Sequence, residues 1–125
     1  MKKLVHVLFV FTMLISSPAM ADPKAGALGA VQAWVDAVNR NDLDGIVAAF
    51  AVDASFFGTT TRVLVTSSDG IKKYFEGVFA KYVPLSVGLG QVTVSELSSD
   101  SAVVTGYDQW KVTVNGKPAE GIGRL

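Results

Sequence analysis

The stretch AWVDAVNRNDLDGIVAAFAVDASFFG, residues 33–58, decides the fold. It reads as helix, break, helix and strand in one short segment. Working back to residue 24, Leu28, Val31, Trp34, Val35 and Val38 recur at i, i+3, i+4 and i+7. That spacing predicts an amphipathic helix over 24–40. Asn39-Arg40-Asn41-Asp42 ends it and caps a second, short helix with Leu43, Ile46, Val47 and Phe50 on one face. Asp53-Ala54 then turns into a strand at Ser55-Phe56-Phe57.

Downstream, Gly58 and Thr59 to Thr61 form a hydroxyl-rich loop, and Arg62-Val63-Leu64-Val65 reads as a second strand. Ser67 or Ser68 can cap a third helix over 69–81, where Ile71, Tyr74, Phe75, Val78, Phe79 and Tyr82 fall at helical spacing. Pro84 stops it. From Leu85 the period becomes two. Leu85, Val87 and Leu89 share one phase, and Val92 and Val94 the other. The slip at Gly90 predicts a β-bulge that bends the strand. Ser98 to Ser101 is a turn, residues 102–114 form a long strand, and Asn115-Gly116 signals a two-residue hairpin before a return strand from Lys117. Helices first and a long antiparallel sheet after them give an α+β fold.

Residues 1–21 are read separately. Lys2 and Lys3 precede an apolar run from Leu4 to Ile15, and Ala19-Met20-Ala21 offers small residues for cleavage after Ala21. This is the pattern of a secretory signal. The run is short of the roughly 20 residues a membrane span needs. The expected product is one exported domain, residues 22–125, periplasmic or secreted and not held by the membrane. Losing Lys2 and Lys3 from the 11 basic residues leaves nine against 11 acidic ones, a net charge near −2. Without a basic run, nucleic acid is a poor partner.

The chain has no Cys, and its one His, His6, lies in the leader. That removes the Ser–His–Asp triad, the Cys nucleophile and the usual zinc ligand sets. Acid–base chemistry would fall to Asp, Glu, Tyr or Lys. No metal site or cofactor is expected.

The run from Ala33 to Gly58, with the third helix DGIKKYFEGVF and the hairpin VTVNGKP, resembles the nuclear transport factor 2-like superfamily. Within it the chain is similar to SnoaL-like bacterial proteins, some labelled SgcJ/EcaC-type. The resemblance implies a cone: a strongly bent antiparallel sheet wrapped around three helices, enclosing a cavity. Such proteins usually continue into one more strand than is seen before Leu125. The expectation is therefore an incomplete sheet with an open edge, and poor solubility or dependence on a partner.

Ketosteroid isomerase is the best-defined catalytic relative in this resemblance. It uses a carboxylate base and two oxyanion donors, a tyrosine and a protonated aspartic acid. Alignment puts Trp34 at the tyrosine, Gly58 at the base and Leu125 near the acid. All three groups are replaced, so that isomerase activity is not expected.

The same alignment turns Gly106, Asp108, Trp110, Val112 and Val114 toward the cavity. Tyr107, Gln109 and Lys111 then face solvent or a second copy. Asp108 is the odd residue of the inner face. It could act as a base or orient a ligand, or it could sit at the rim or pair with Arg62 or Arg124. Trp34, Phe56, Tyr74 and Trp110 could line a pocket for a flat, partly apolar ligand, or simply fill the core. Gly58, lacking a side chain, would add room inside.

These features imply an exported SnoaL-like domain that binds a small apolar or aromatic molecule through Trp34, Phe56, Tyr74, Asp108 and Trp110. One alternative is an isomerase, lyase or oxidoreductase using Asp108. Another is a homo-oligomeric assembly module. Dimerisation through the outer sheet face is expected in each.

Overall fold

A computed structural model describes residues 22–125. The leader expected over residues 1–21 lies outside them. Helix α1 spans Pro23–Asn39 and starts where Asp22 caps it, its carboxylate accepting from the Lys24 N–H at 2.9 Å. Helix α2, Leu43–Ala48, is capped by Asp42 through the Gly45 N–H. Helix α3, Ser68–Lys81, is capped by Ser67 through the Gly70 N–H. Asn41, at φ 53°, turns the chain between α1 and α2 in the left-handed region that asparagine tolerates.

Strands β1 (Leu85–Ser98), β2 (Ser101–Val114) and β3 (Lys117–Arg124) form one antiparallel sheet in the order β1-β2-β3. Leu89 pairs with Asp108, but Val92 pairs with Gly106, so β1 gains one residue between them. This is the bulge expected at Gly90. It lets Leu85, Val87 and Leu89, then Val92 and Val94, all turn inward although their sequence phases differ. Asn115 at φ 51° and Gly116 at φ 74° close the β2–β3 hairpin, two positive φ values that match the right-handed twist of the strands. β3 pairs with β2 along its whole length, from Val114↔Lys117 to Tyr107↔Arg124. Its other edge has no strand beside it among the described residues, so the sheet is open.

Two expected strands are corrected. Residues 55–57 and 62–65 form no strand, only a single bridge in which Phe56 and Val65 exchange two backbone hydrogen bonds of 2.8 and 2.9 Å. The turn at Gly58–Thr61 sits between them, and Val63 and Leu64 are exposed. With no inward face to bury, the pairing has nothing to extend it.

The helices pack on the concave side of the sheet. α1 lies against β1 and β2, and α2 joins α1 to α3. Val35, Ala37 and Val38 of α1 meet Ile46 of α2, Ile71 and Phe75 of α3 and Val87 of β1 in one buried cluster. Asn39 ties this junction. Its amide donates to the Val87 carbonyl at 2.9 Å and accepts from the Val87 N–H at 2.8 Å, pairing β1 as a neighbouring strand would. Each such bond contributes on the order of 1 kcal/mol. On the surface, Lys72 of α3 reaches Asp44 of α2 at 2.9 Å. That hydrogen bond, with the Asp44 charge, raises the Lys72 ammonium above its ordinary pKa.

Candidate functional site

The concave face of β2 brings one carboxylate into the core. Along β2 the even-numbered residues 102–114 point inward, as the period-two pattern predicts. Asp108 is 3% exposed, the one buried polar residue among the described core positions. It does not sit at the rim, and neither Arg62 nor Arg124 forms an ion pair with it among the described residues. Its partner is two residues along the same face: Trp110 Nε1 donates to Asp108 Oδ1 at 2.7 Å. Residues i and i+2 of a strand share a face, which makes this contact local. Gly123 of β3 lies directly across from Asp108, and a Cβ there would stand 3.0 Å from Trp110 Nε1 and collide with the carboxylate. The glycine thus clears space for the pair. Asp108 Oδ2 has no hydrogen-bond partner among the described residues, and Asp108 is one of the residues that line the neighbouring cavity.

That cavity has a volume of about 320 Å³. Trp34, Phe56, Tyr74, Asp108 and Trp110 all line it, so every expected site residue meets at one place. The size lies at the small end of the usual range for small-molecule sites. The walls are an aromatic lattice. Trp34 meets Trp110 edge-on at 6.3 Å, Phe56 meets Tyr74 at 5.1 Å, and Phe75 lies under Trp34, Phe56 and Tyr74. The choice between pocket and core is therefore not exclusive: each ring supports the next and presents one surface to the void. Trp34 Nε1 is sealed from water without a partner, a group that costs about 1–3 kcal/mol to leave so.

Gly58 does not add room, contrary to the expectation. A Cβ at residue 58 would meet the Tyr74 ring, 2.5 Å from Cε2 and 2.6 Å from the hydroxyl oxygen. The tyrosine fills the space that a side chain at 58 would use. Its hydroxyl is held at the loop by Thr60, which donates from its N–H at 3.3 Å and its hydroxyl at 3.1 Å. Thr59 lines the cavity as well, so this loop is part of the wall.

Sequence reasoning did not place Arg124 in the site. It borders the same cavity and is exposed, but it pairs with the outward-facing Tyr107, so the register turns its side chain to the outer face of the sheet. The signal was available in the hairpin: counting back from Asn115-Gly116 sets Arg124 opposite Tyr107, one step from Asp108. Among the described residues no three acidic side chains come together as metal ligands. What the arrangement can do is hold a molecule with an apolar body and one polar group. The carboxylate accepts a hydrogen bond.

The SnoaL-like domain family matches the chain over residues 28–125. Comparison with curated proteins finds no match. Among solved structures, a candidate calcium/calmodulin dependent protein kinase II association domain from Xanthomonas campestris is 26% identical. It superposes with a TM-score of 0.70 over 83% of this chain and 74% of its own. A candidate aromatic ring hydroxylase from Novosphingobium aromaticivorans is 22% identical, with a TM-score of 0.71 over 82% and 73%. A ketosteroid isomerase-like protein from Erwinia carotovora is 19% identical, with a TM-score of 0.66 over 83% and 80%. The last two likenesses show the fold alone, that of the ketosteroid isomerase-like structure.

Proposed function

This chain belongs to the SnoaL-like domain family, and on that premise we propose that its cone binds a small, partly apolar molecule. One observation carries the reading: a buried carboxylate with a free oxygen stands in a 320 Å³ cavity walled by aromatic rings. The apolar body of the ligand lies against Trp34, Phe56 and Trp110. Its polar end reaches Asp108. The neighbours named as an aromatic ring hydroxylase and a ketosteroid isomerase-like protein support a ring-shaped ligand class. The leader read at residues 1–21 supports action beyond the inner membrane.

A second reading rests on the same free oxygen: Asp108 as a general acid or base on the bound molecule. Among the described lining residues Asp108 is the one acidic side chain, so binding without chemistry is the simpler function. A paired arrangement is also proposed, two copies meeting through the outer sheet face. There Tyr107, Gln109 and Lys111 lie beside Val103 and Ile122, both exposed hydrophobics.

The test is a titration with 2-naphthol, whose hydroxyl can donate to Asp108 and whose rings match the aromatic walls. Saturable quenching of tryptophan fluorescence is expected. Asp108→Asn keeps the shape but puts an amide where the accepting carboxyl group stands, and should weaken binding about tenfold or more. Quenching that never saturates, or that is the same in Asp108→Asn, would contradict the proposal.

A further inference from the structure

A second cavity of about 190 Å³ lies behind the first. Its walls are Val78 of α3, Tyr82 just after that helix, Leu85 of β1 and Val112 of β2, with Thr60 of the loop and Glu120 to Ile122 of β3 at its edge. Thr59, Tyr74 and Trp110 line both cavities, so these three side chains are the partition between them. Trp110 is fixed from one side by its bond to Asp108. Tyr74 packs edge-on against Phe56 and Phe75, and at its tip Thr60 donates two hydrogen bonds from an exposed loop. The back of the Tyr74 ring rests on Gly58, which offers no side chain to hold it.

We propose that the two cavities are chambers of one site, parted by Tyr74, and that the ligand is elongated: a polar aromatic head beside Asp108 and an apolar tail behind Tyr74. The inference rests on the binding function proposed above and adds the shape of the ligand to it. Polarity supports the orientation. The front chamber holds the buried Asp108, whereas Val78, Leu85 and Val112 give the second one apolar walls and its one carboxylate, Glu120, is exposed at the sheet edge. A tail passes from the front chamber into the second one when the Tyr74 ring swings aside. That motion breaks two exposed hydrogen bonds to Thr60, which are cheap to exchange for water. Tyr74 is then the residue that sets ligand length.

The probes are 4-alkylphenols with tails from methyl to octyl, titrated by calorimetry against the protein and two variants. Each methylene buried in the rear chamber should tighten binding about three- to fourfold. In Val112→Phe, which fills that chamber, the gain should stop at a shorter tail, while 4-methylphenol binds as before. In Tyr74→Phe, which removes the Thr60 bonds, the ratio of the octyl to the methyl association rate, read by stopped-flow tryptophan quenching, should rise above that of the parent. A gain that levels off at the same tail length in the protein and in Val112→Phe would overturn the two-chamber site and leave front-chamber binding standing. If Val112→Phe does not fold, an equal octyl-to-methyl rate ratio in Tyr74→Phe and the parent would overturn it instead. Absence of binding by 4-methylphenol and every longer member would overturn both the function and the inference.

Discussion

Phe75→Ala is expected to destabilise the protein by about 3–5 kcal/mol, the usual cost of emptying a buried phenylalanine site. Phe75 is 1% exposed and is among the largest fully buried side chains. Four other rings, Trp34, Phe56, Tyr74 and Phe79, lie with centroids within 6.3 Å of it. These rings cannot collapse into the void together, because Trp34, Phe56 and Tyr74 are also walls of the cavity. A single domain typically has about 5–15 kcal/mol in total, so the variant should be largely unfolded or should melt far below the parent. Chemical denaturation measures the change through the midpoint at constant slope. A loss under about 1 kcal/mol would show that Phe75 does not hold the rings in place.

Gly58→Ala has the next largest effect. The added methyl enters the volume of the Tyr74 ring. Either the ring moves or the backbone does, and overpacking of this kind costs about 1–3 kcal/mol. We expect the upper half of that range, because the Tyr74 ring also packs against Phe56 and Phe75. The cause is specific, so it is separable by a double-mutant cycle. In a Tyr74→Leu background, the same Gly58→Ala change should cost under about 1 kcal/mol. Equal costs in both backgrounds would place the clash elsewhere. The result bears on function as well: with Tyr74 displaced, the front and rear cavities join.

Much of this was legible in the sequence, for reasons that can be named. Helical spacing located α1 and α3 because each buries one face against the sheet. The phase slip at Gly90 revealed the bulge because both phases of β1 are buried. Asn115-Gly116 fixed the hairpin register, and with it the inward set that contains Asp108 and Trp110. The segment from Phe56 to Val65 was read as two strands because β-branched and aromatic residues favour extended chain, but Val63 and Leu64 have no partner face. Gly58 was read as open space because a sequence does not show that Tyr74, sixteen positions on, turns back to fill it. The Asn39 bonds to Val87 join residues 48 apart, beyond any local pattern.

The account turns on one claim, that the aromatic cavity around Asp108 receives a ligand. The sequence has two tryptophans, so a proton–nitrogen correlation spectrum of the folded protein should show two indole signals. Trp110, bonded to a carboxylate, and Trp34, without a partner, should differ widely in chemical shift. On addition of 2-naphthol both signals are expected to move and to saturate together, the Trp110 signal because the ligand contacts its partner Asp108. Two indole signals that stay fixed to saturating probe, in a spectrum that is otherwise that of a folded protein, would contradict it.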